Sequence, residues 1–237
     1  MLKQISLLIL CAVAIVLFAT PVHACTSAVV SGKVTLDGRP LLWKNRDTDF
    51  MRNHVDYVKG ERYDFIAVVN SANAYLKEAW MGTNSAGFAL MNTQSYNLVD
   101  VKGDEERGAA NGRVIYRALE VCATVEDFCH FLDTISKPSD IEANFGVIDA
   151  QGGAAMFEVD YYKYVMYDAN NPKDAPYGYI ARTNFSFAGK VNEGAGYVRY
   201  MEADQVLMIY PVRSVTVCWI LICVAGGIIV LRHRAGL

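Results

Sequence analysis

Two apolar segments, one at each end of the 237-residue chain, confine any water-soluble fold to the residues between them. Residues 1–24 carry Lys3 as their one charged side chain, continue as a long apolar stretch, and end in Ala24, a small residue typical of a signal-peptide cleavage site. We predict a secretory signal peptide that is removed after Ala24. This would export the protein to the periplasm or the extracellular space and make Cys25 its first residue. An uncleaved signal anchor and a lipid-modified Cys25 are the alternatives.

The second apolar segment, residues 214–231, contains no charged side chain and is followed by a short basic tail, 232–237. Its length is near the lower limit of about 17 residues for a membrane-spanning helix. A basic flank is typical of the cytoplasmic side of such a helix. We therefore predict a transmembrane helix over 214–231 that anchors an exported domain in the membrane. A buried core helix and a mistranslated end are the alternatives.

Between these ends, residues 25–213 have the composition of an ordinary globular domain. The chain as a whole is 53% hydrophobic, and the excess over a typical soluble domain lies in the two ends. All 25 acidic residues fall in the middle, which is therefore net acidic. No basic stripe is present, so nucleic acid is not an expected partner.

The cysteines are few enough to consider one by one. The chain has six, at Cys11, Cys25, Cys122, Cys129, Cys218 and Cys223. The first would leave with the signal peptide, and the last two lie in the apolar tail. Cys122 and Cys129 can form a disulfide after export or pack as core residues. No pair has the CxxC spacing of a zinc site, and no metal or organic cofactor is implied. Cys25 remains as an odd thiol.

The hydrophobic pattern changes along the middle from short strands to helices and back. Thr124, with Asp127 three residues later, resembles a capping box at a helix start. The predicted helices cover 112–123, 125–135 and 196–207, and the predicted strands cover 26–34, 40–44, 64–70, 75–81, 88–93, 143–149, 154–160, 162–167 and 179–183. This order predicts an α+β domain with layered antiparallel sheets.

A cysteine at a free amino terminus combines two catalytic groups in one residue. The thiolate is the nucleophile, and an ordinary thiol with a pKa of about 8.5 is mostly protonated at neutral pH. The α-amine has a pKa of about 7.7–8.0, so it can take the thiol proton and later return it to a leaving amine. Cys25 is thus a candidate nucleophile of the amino-terminal type.

Four sequence motifs, the first of which begins at Cys25, support that hypothesis through a family resemblance. In chain order, the motifs are Cys25-Thr26-Ser27 with the turn Asp37-Gly38, Lys44-Asn45-Arg46-Asp47, Gly82-Thr83-Asn84-Ser85-Ala86-Gly87, and Arg182-Thr183-Asn184. This set resembles the N-terminal nucleophile (Ntn) hydrolases, in particular the isopenicillin-N acyltransferase and carcinine hydrolase group and the choloylglycine hydrolases, which include penicillin V acylase and bile salt hydrolase. The resemblance covers roughly residues 25–207 and implies an αββα four-layer sandwich.

The resemblance also implies roles for individual residues. Cys25 would be the nucleophile, and Asp47 would fix its amine. Lys44 falls on a family arginine and keeps the charge but not the bidentate fork, for which Arg46 is a candidate substitute. Asn84 matches an asparagine that lines the site. Asn184 matches the asparagine that donates to the oxyanion, where a fixed donor is worth about 3 kcal/mol.

Each of these residues also has a purely structural interpretation. Asp47 can cap a turn, Asn84 can serve turn geometry, Asn184 can be a loop residue of an Asn-Phe-Ser sequence, and Lys44 can be a solvated strand end. The family also contributes a late arginine to the site. No residue matches it, since Arg199 comes too early. We therefore expect a domain that is incomplete at its C-terminal side.

The combined expectation is an exported cysteine Ntn hydrolase that cleaves a linear C–N amide of a small molecule, or transfers its acyl group, through a thioester at Cys25. One alternative is a dipeptidase of the same superfamily. The other is a catalytically inactive, membrane-tethered remnant.

Overall fold

The computed structural model describes residues 25–48, 50, 52–72, 74–100, 108–209 and 228–231. The predicted signal peptide lies outside these residues, as do 214–227 of the predicted membrane helix. The last four residues of that predicted helix, Ile228–Leu231, form a β-strand instead. No helix in the described part of the chain is long and apolar enough to span a membrane.

The described residues form eleven strands and three α-helices. The strands are β1 Thr26–Val30, β2 Leu41–Asn45, β3 Asn53–Val58, β4 Phe65–Asn70, β5 Met81–Asn84, β6 Ala89–Gln94, β7 Ala143–Ile148, β8 Ala154–Val159, β9 Tyr164–Asp168, β10 Tyr179–Arg182 and β11 Ile228–Leu231. The helices are α1 Asn111–Val121, α2 Val125–Thr134 and α3 Tyr197–Ile209. Short 3-10 turns cover Gly32–Val34 and Ala74–Leu76.

The strands form two antiparallel sheets. The four-stranded sheet has the order β10-β1-β2-β11, and the seven-stranded sheet runs in sequence order from β3 to β9. The sequence-order sheet follows from its short connections, because hairpins join consecutive strands and the helix pair joins β6 to β7.

Two apolar clusters hold three of the four layers together. Helices α1 and α2 cover one face of the seven-stranded sheet, where Phe128 contacts the rings of Phe88, Phe145 and Phe157. The other face packs against the four-stranded sheet through a second cluster that includes Val29. Helix α3 packs outside β10 and β1. The layers are therefore helix, sheet, sheet and helix, which confirms the predicted αββα sandwich.

The capping box at Thr124 is confirmed, with Asp127 as its partner. Other local details differ from what the sequence predicts. The strand predicted over 75–81 is wrong, because the chain first forms a 3-10 turn and the strand begins only at Met81. Of the two alternatives for Cys122 and Cys129, the structure shows core packing, because both thiols are free and lie in or against the core under α1 and α2. Strand β3 had no counterpart in the prediction.

Candidate active site

The register of the four-stranded sheet brings three sequence motifs to one place. Ser27 on β1 pairs with Lys44 on β2 and with Arg182 on β10. When both registers are continued by two residues, Arg46 and Asn184 come to the two sides of Cys25. Side chains two residues apart share a face of a sheet. Cys25, Arg46 and Asn184 therefore share one face of the four-stranded sheet. Val29 also lies on this face and packs between the two sheets.

Cys25 lies just before β1 and is half-buried. Its Sγ donates to the backbone carbonyl of Asp47 at 3.7 Å. This contact uses the carbonyl of Asp47 and not its exposed carboxylate, so the predicted role of that carboxylate in fixing an amine stays a prediction.

Lys44 is almost completely buried, with 2% of its surface exposed. Its Nζ donates to the carbonyl of Trp80 at 2.9 Å and to Oδ1 of Asn92 at 3.1 Å. Burial lowers the pKa of Lys44 to about 8, and a negative charge on Cys25 opposes that shift. The interpretation of Lys44 as a solvated strand end is therefore wrong, because its side chain lies between the two sheets.

Arg46 lies beside Lys44 and reaches the far strands of the other sheet. Its Nη1 donates to Oδ1 of Asn53, and its Nη2 donates to Oδ1 of Asn70 at 2.8 Å. The guanidinium carbon lies 5.1 Å from the centre of the Trp80 ring. Burial lowers the pKa of Arg46 to about 10, again with Cys25 acting in the opposite direction. Arg46 therefore keeps its charge at neutral pH.

The structure places Arg199 at this site, although its position in the sequence is too early to match the late arginine of the family. Its Nη1 donates to the carbonyl of Cys25 at 2.6 Å and to Oγ1 of Thr26 at 3.1 Å. Its Nη2 donates to Oδ1 of Asn184 at 3.1 Å. Burial lowers the pKa of Arg199, while the charges of Cys25 and Asp47 oppose the shift. The position of Arg199 in the sequence did not predict this contact. Helix α3 packs directly against β1 and β10 and thereby brings Arg199 to Cys25.

Asn184 is buried, and its amide is held from both ends. Its Nδ2 donates to the carbonyl of Gln94 at 2.8 Å, while its Oδ1 accepts from Arg199. These two contacts are consistent with one orientation of the amide only. Asn184 lies outside the strands, as the loop interpretation has it, but its side chain is buried and fixed.

A residue that sequence reasoning missed holds the segment around Asn184. Asn144, on β7, is fully buried, and its Nδ2 donates to the carbonyls of Thr183 and Phe185, each at 3.1 Å. It thus binds the chain on both sides of Asn184. A buried asparagine inside the predicted strand 143–149 was the available signal, because a buried amide needs several partners.

Asn84 lies elsewhere, which corrects its predicted place in the site. Its Nδ2 donates to the carbonyls of Leu119 and Cys122 at the end of α1, and its Oδ1 accepts from the backbone N–H groups of Ala86 and Phe88. Asn84 therefore faces the helical layer, on the opposite side of the seven-stranded sheet from Cys25. Its side chain serves turn and helix-end geometry.

The other two thiols in the described residues, Cys122 and Cys129, have different surroundings. Burial raises the pKa of Cys122 to about 12, and burial also raises the pKa of Cys129. Nucleophilic cysteines lie in partly exposed, electropositive surroundings. Cys25, beside Lys44 and Arg199, is the thiol of the described chain that fits this description. No cluster of three His, Cys, Asp or Glu side chains that could hold a metal occurs in the described segments.

Two helical layers around two antiparallel sheets, with a cysteine at the start of an inner strand, define the fold of an Ntn hydrolase. The sequence model of the acyl-coenzyme A:6-aminopenicillanic acid acyl-transferase family matches residues 35–199, and the chain belongs to this family. No curated protein sequence matches the chain.

Two solved structures illustrate the fold. A Caenorhabditis elegans ortholog of N-acylethanolamine-hydrolyzing acid amidase has a TM-score of 0.60 and 14% identity, over 85% of this chain and 87% of that one. A variant of the conjugated bile acid hydrolase from Clostridium perfringens has a TM-score of 0.53 and 12% identity, over 83% of this chain and 77% of that one. At such low identity, these similarities concern the fold alone.

Proposed function

We propose that this chain is an exported cysteine amidohydrolase that cleaves a linear C–N amide, or transfers its acyl group, through a thioester at Cys25. The family to which the chain belongs supports acyl-transfer chemistry on amides. The observation that carries the proposal is the position of Cys25, half-exposed at the start of β1 and flanked by Lys44, Arg46 and Arg199. Export is supported by the signal-peptide pattern of residues 1–24.

The reaction would begin with a cut before Cys25 that frees its α-amine. The amine takes the thiol proton, and Sγ attacks the carbonyl carbon of the substrate. When the C–N bond breaks, the amine of Cys25 gives the proton to the leaving nitrogen, and the acyl group stays on Sγ as a thioester. Water, or an acceptor amine, then attacks the thioester and restores the thiol.

Asn184 would stabilise the tetrahedral intermediate. Its Nδ2 gives one hydrogen to Gln94, and the second is available to an oxyanion. Arg199 and Gln94 hold the amide in one orientation, which supports the role because a donor acts most strongly when it needs no reorganisation. Removing such a donor costs about 3 kcal/mol, or roughly a hundredfold in kcat.

The first test is the mass of the mature amino terminus in the exporting host. A free, unmodified Cys25 is the expected result. An intact leader or a lipid-modified Cys25 would contradict the proposal and favour the inactive, tethered remnant.

The second test is the substitution Cys25→Ser in the mature protein, with Cys129→Ser as the matched control. We expect the first to abolish release of amine from a panel of N-acyl amides and the second to leave it unchanged. Cys129 lies on α2, on the helical side of the seven-stranded sheet, where it contacts Met166. Dipeptides in the same panel test the dipeptidase alternative. Unchanged amidase activity in Cys25→Ser would refute the proposed nucleophile.

A further inference from the structure

The chain that follows β10, residues 183–188, carries Asn184 and is bound by buried polar side chains. We call it the Asn184 segment. Asn97 binds the middle of this segment, because its Oδ1 accepts from the N–H of Ser186 at 2.8 Å and its Nδ2 donates to the carbonyl of Ser186 at 2.9 Å. Asn144 binds the carbonyls on both sides of Asn184 and also accepts from the hydroxyl of Ser186. Side chains from other elements therefore set the path of this segment.

Glu158 adds a carboxylate to these contacts. It lies on β8, directly opposite Asn144 of β7, and its side chain has no exposed surface. Its Oε1 accepts from the N–H of Phe187 at 2.9 Å and its Oε2 from the N–H of Ala188 at 2.7 Å. Its Oε1 also accepts from Nε of Arg182 at 2.6 Å. Glu158 therefore binds the chain both before and after Asn184.

The ion pair between Glu158 and Arg182 is enclosed by the surrounding structure. The guanidinium carbon of Arg182 lies 3.8 Å from the centre of the Phe187 ring and 4.9 Å from that of Tyr167. Desolvation offsets much of the attraction in such a pair, so that apolar residues of similar volume are often as stable. Stability alone is thus a weak reason for a buried charge here. Holding the chain in one conformation is a use that also accounts for the two N–H contacts.

We propose that Glu158 is a positioning residue for the reaction and that it acts through Asn184. This inference rests on the proposed function, in which the Nδ2 of Asn184 donates to the oxyanion. That atom also donates to the carbonyl of Gln94 at 2.8 Å, so its place depends on the backbone at Asn184. Misplacing a catalytic group by about 1 Å can cost roughly a hundredfold in rate. By fixing Arg182 and Phe187, Glu158 limits such a displacement.

The first test is Glu158→Gln in the mature protein. Glutamine has nearly the same shape, but its NH2 end donates where the carboxylate accepts. We expect kcat for a cleaved N-acyl amide to fall by about tenfold or more, with KM within about twofold. An unchanged kcat would overturn the inference.

Asp149→Asn is the matched control. The Asp149 carboxylate likewise accepts from backbone N–H groups, those of Val125, Gln151 and Gly153, but it does so at the start of α2, on the helical side of the sheet. We expect this variant to keep its kcat. An equal fall of kcat in both variants would show a general loss of structure and would also overturn the inference.

A double-mutant cycle with Asn184→Ala tests whether Glu158 acts through Asn184. If it does, Glu158→Gln should change kcat by less than about twofold once Asn184 is absent, because effects that share one group do not add. A full additional tenfold loss in the double variant would reject a positioning role through Asn184.

A nuclear magnetic resonance experiment separates this inference from the proposed function, because it needs no turnover. In the Cys25→Ser protein, the side-chain NH2 signals of Asn184 are identified by their absence in Asn184→Ala. We expect Glu158→Gln to move or broaden them and Asp149→Asn to leave them in place. If no compound is cleaved, the proposed function fails, and these signals still decide the inference, since unmoved signals in Glu158→Gln reject it.

Glu158→Asp supplies a second variant if Glu158→Gln does not fold. It keeps the negative charge for Arg182 but is one methylene shorter, so it cannot reach Arg182, Phe187 and Ala188 together. We expect a smaller loss of kcat and a smaller shift of the Asn184 signals than in Glu158→Gln. An aspartate variant that matches the unaltered protein in both measurements would contradict the inference.

Discussion

Lys44 carries its charge where water barely reaches it. An arginine at this position would stay protonated at any working pH, whereas a buried lysine can lose its proton. Burial therefore makes the charge of Lys44 titratable.

We expect this difference to appear in the pH profile. Because burial lowers the pKa of Lys44 to about 8, its positive charge is present below that pH and is lost as the pH rises through it. The value of kcat/KM should therefore fall above about pH 8, and the fall should move to higher pH in Lys44→Arg. Lys163→Arg, at an exposed position, is the control. An identical alkaline fall in Lys44→Arg would show that another group is responsible.

Asn84 should matter for stability and not for the reaction. Its side chain satisfies two carbonyls at the end of α1 and two N–H groups of the following turn. Asn84→Ala should lower the free energy of unfolding by about 2–4 kcal/mol, because it leaves several buried polar groups without partners. Denaturant titration measures this, with Gln151→Ala as an exposed control. A stable Asn84→Ala protein with reduced kcat would contradict this and show that Asn84 acts in the reaction.

Among the elements, α3 contributes most directly to the site. It packs on β10 and β1 and carries Arg199 to the carbonyl of Cys25 and the amide of Asn184. Gly196, with a φ of +88°, precedes the helix in a conformation that favours glycine, and a side chain there would collide with the Arg199 guanidinium. The glycine before α3 thus leaves room for the guanidinium of Arg199.

Arg199→Met should slow catalysis more than it weakens substrate binding. Without the guanidinium, the amide of Asn184 is held by Gln94 alone, so its orientation toward an oxyanion is less defined. We expect kcat to fall by roughly tenfold to a hundredfold with a smaller change in KM. Glu202→Gln, on an exposed part of α3, is the control. An effect confined to KM would indicate a substrate-binding role instead.

In the whole molecule, β11 closes one side of the four-stranded sheet. Ile228–Leu231 pair with Leu42–Asn45 of β2, the strand that leads to Lys44 and Arg46. A membrane helix over 214–231 would require these four residues to be helical. The strand and the membrane helix are therefore mutually exclusive over Ile228–Leu231.

Hydrogen exchange distinguishes the two arrangements in the full chain. If β11 pairs as described, the β2 amides that face it should exchange slowly, as the amides of β1 do. If the segment spans a membrane, those β2 amides should exchange much faster while β1 stays protected. Rapid exchange at that side of β2 would contradict the pairing.

Much of the fold follows from local patterns. Alternating apolar residues predicted most strands, and the capping box at Thr124 marked the second helix. Strand β3 was not predicted. It lies at the edge of its sheet, and its mostly exposed side chains do not alternate between buried and exposed positions. The strand predicted over 75–81 failed because that stretch is a connection, in which Ala79 and Trp80 are drawn to the core by tertiary contacts.

The sequence by itself determined the layered α+β architecture, the position of Cys25 at the head of a strand, and the motifs around Lys44 and Asn184. These depend on periodicity and on order along the chain. Tertiary structure alone decided that Lys44 is buried, that Arg199 reaches Cys25, and that Asn84 faces the helices. The physical reason is that burial and partners depend on which face of which sheet a residue occupies and on what packs against that face. Two sheets stacked face to face bring together residues that lie far apart in the chain.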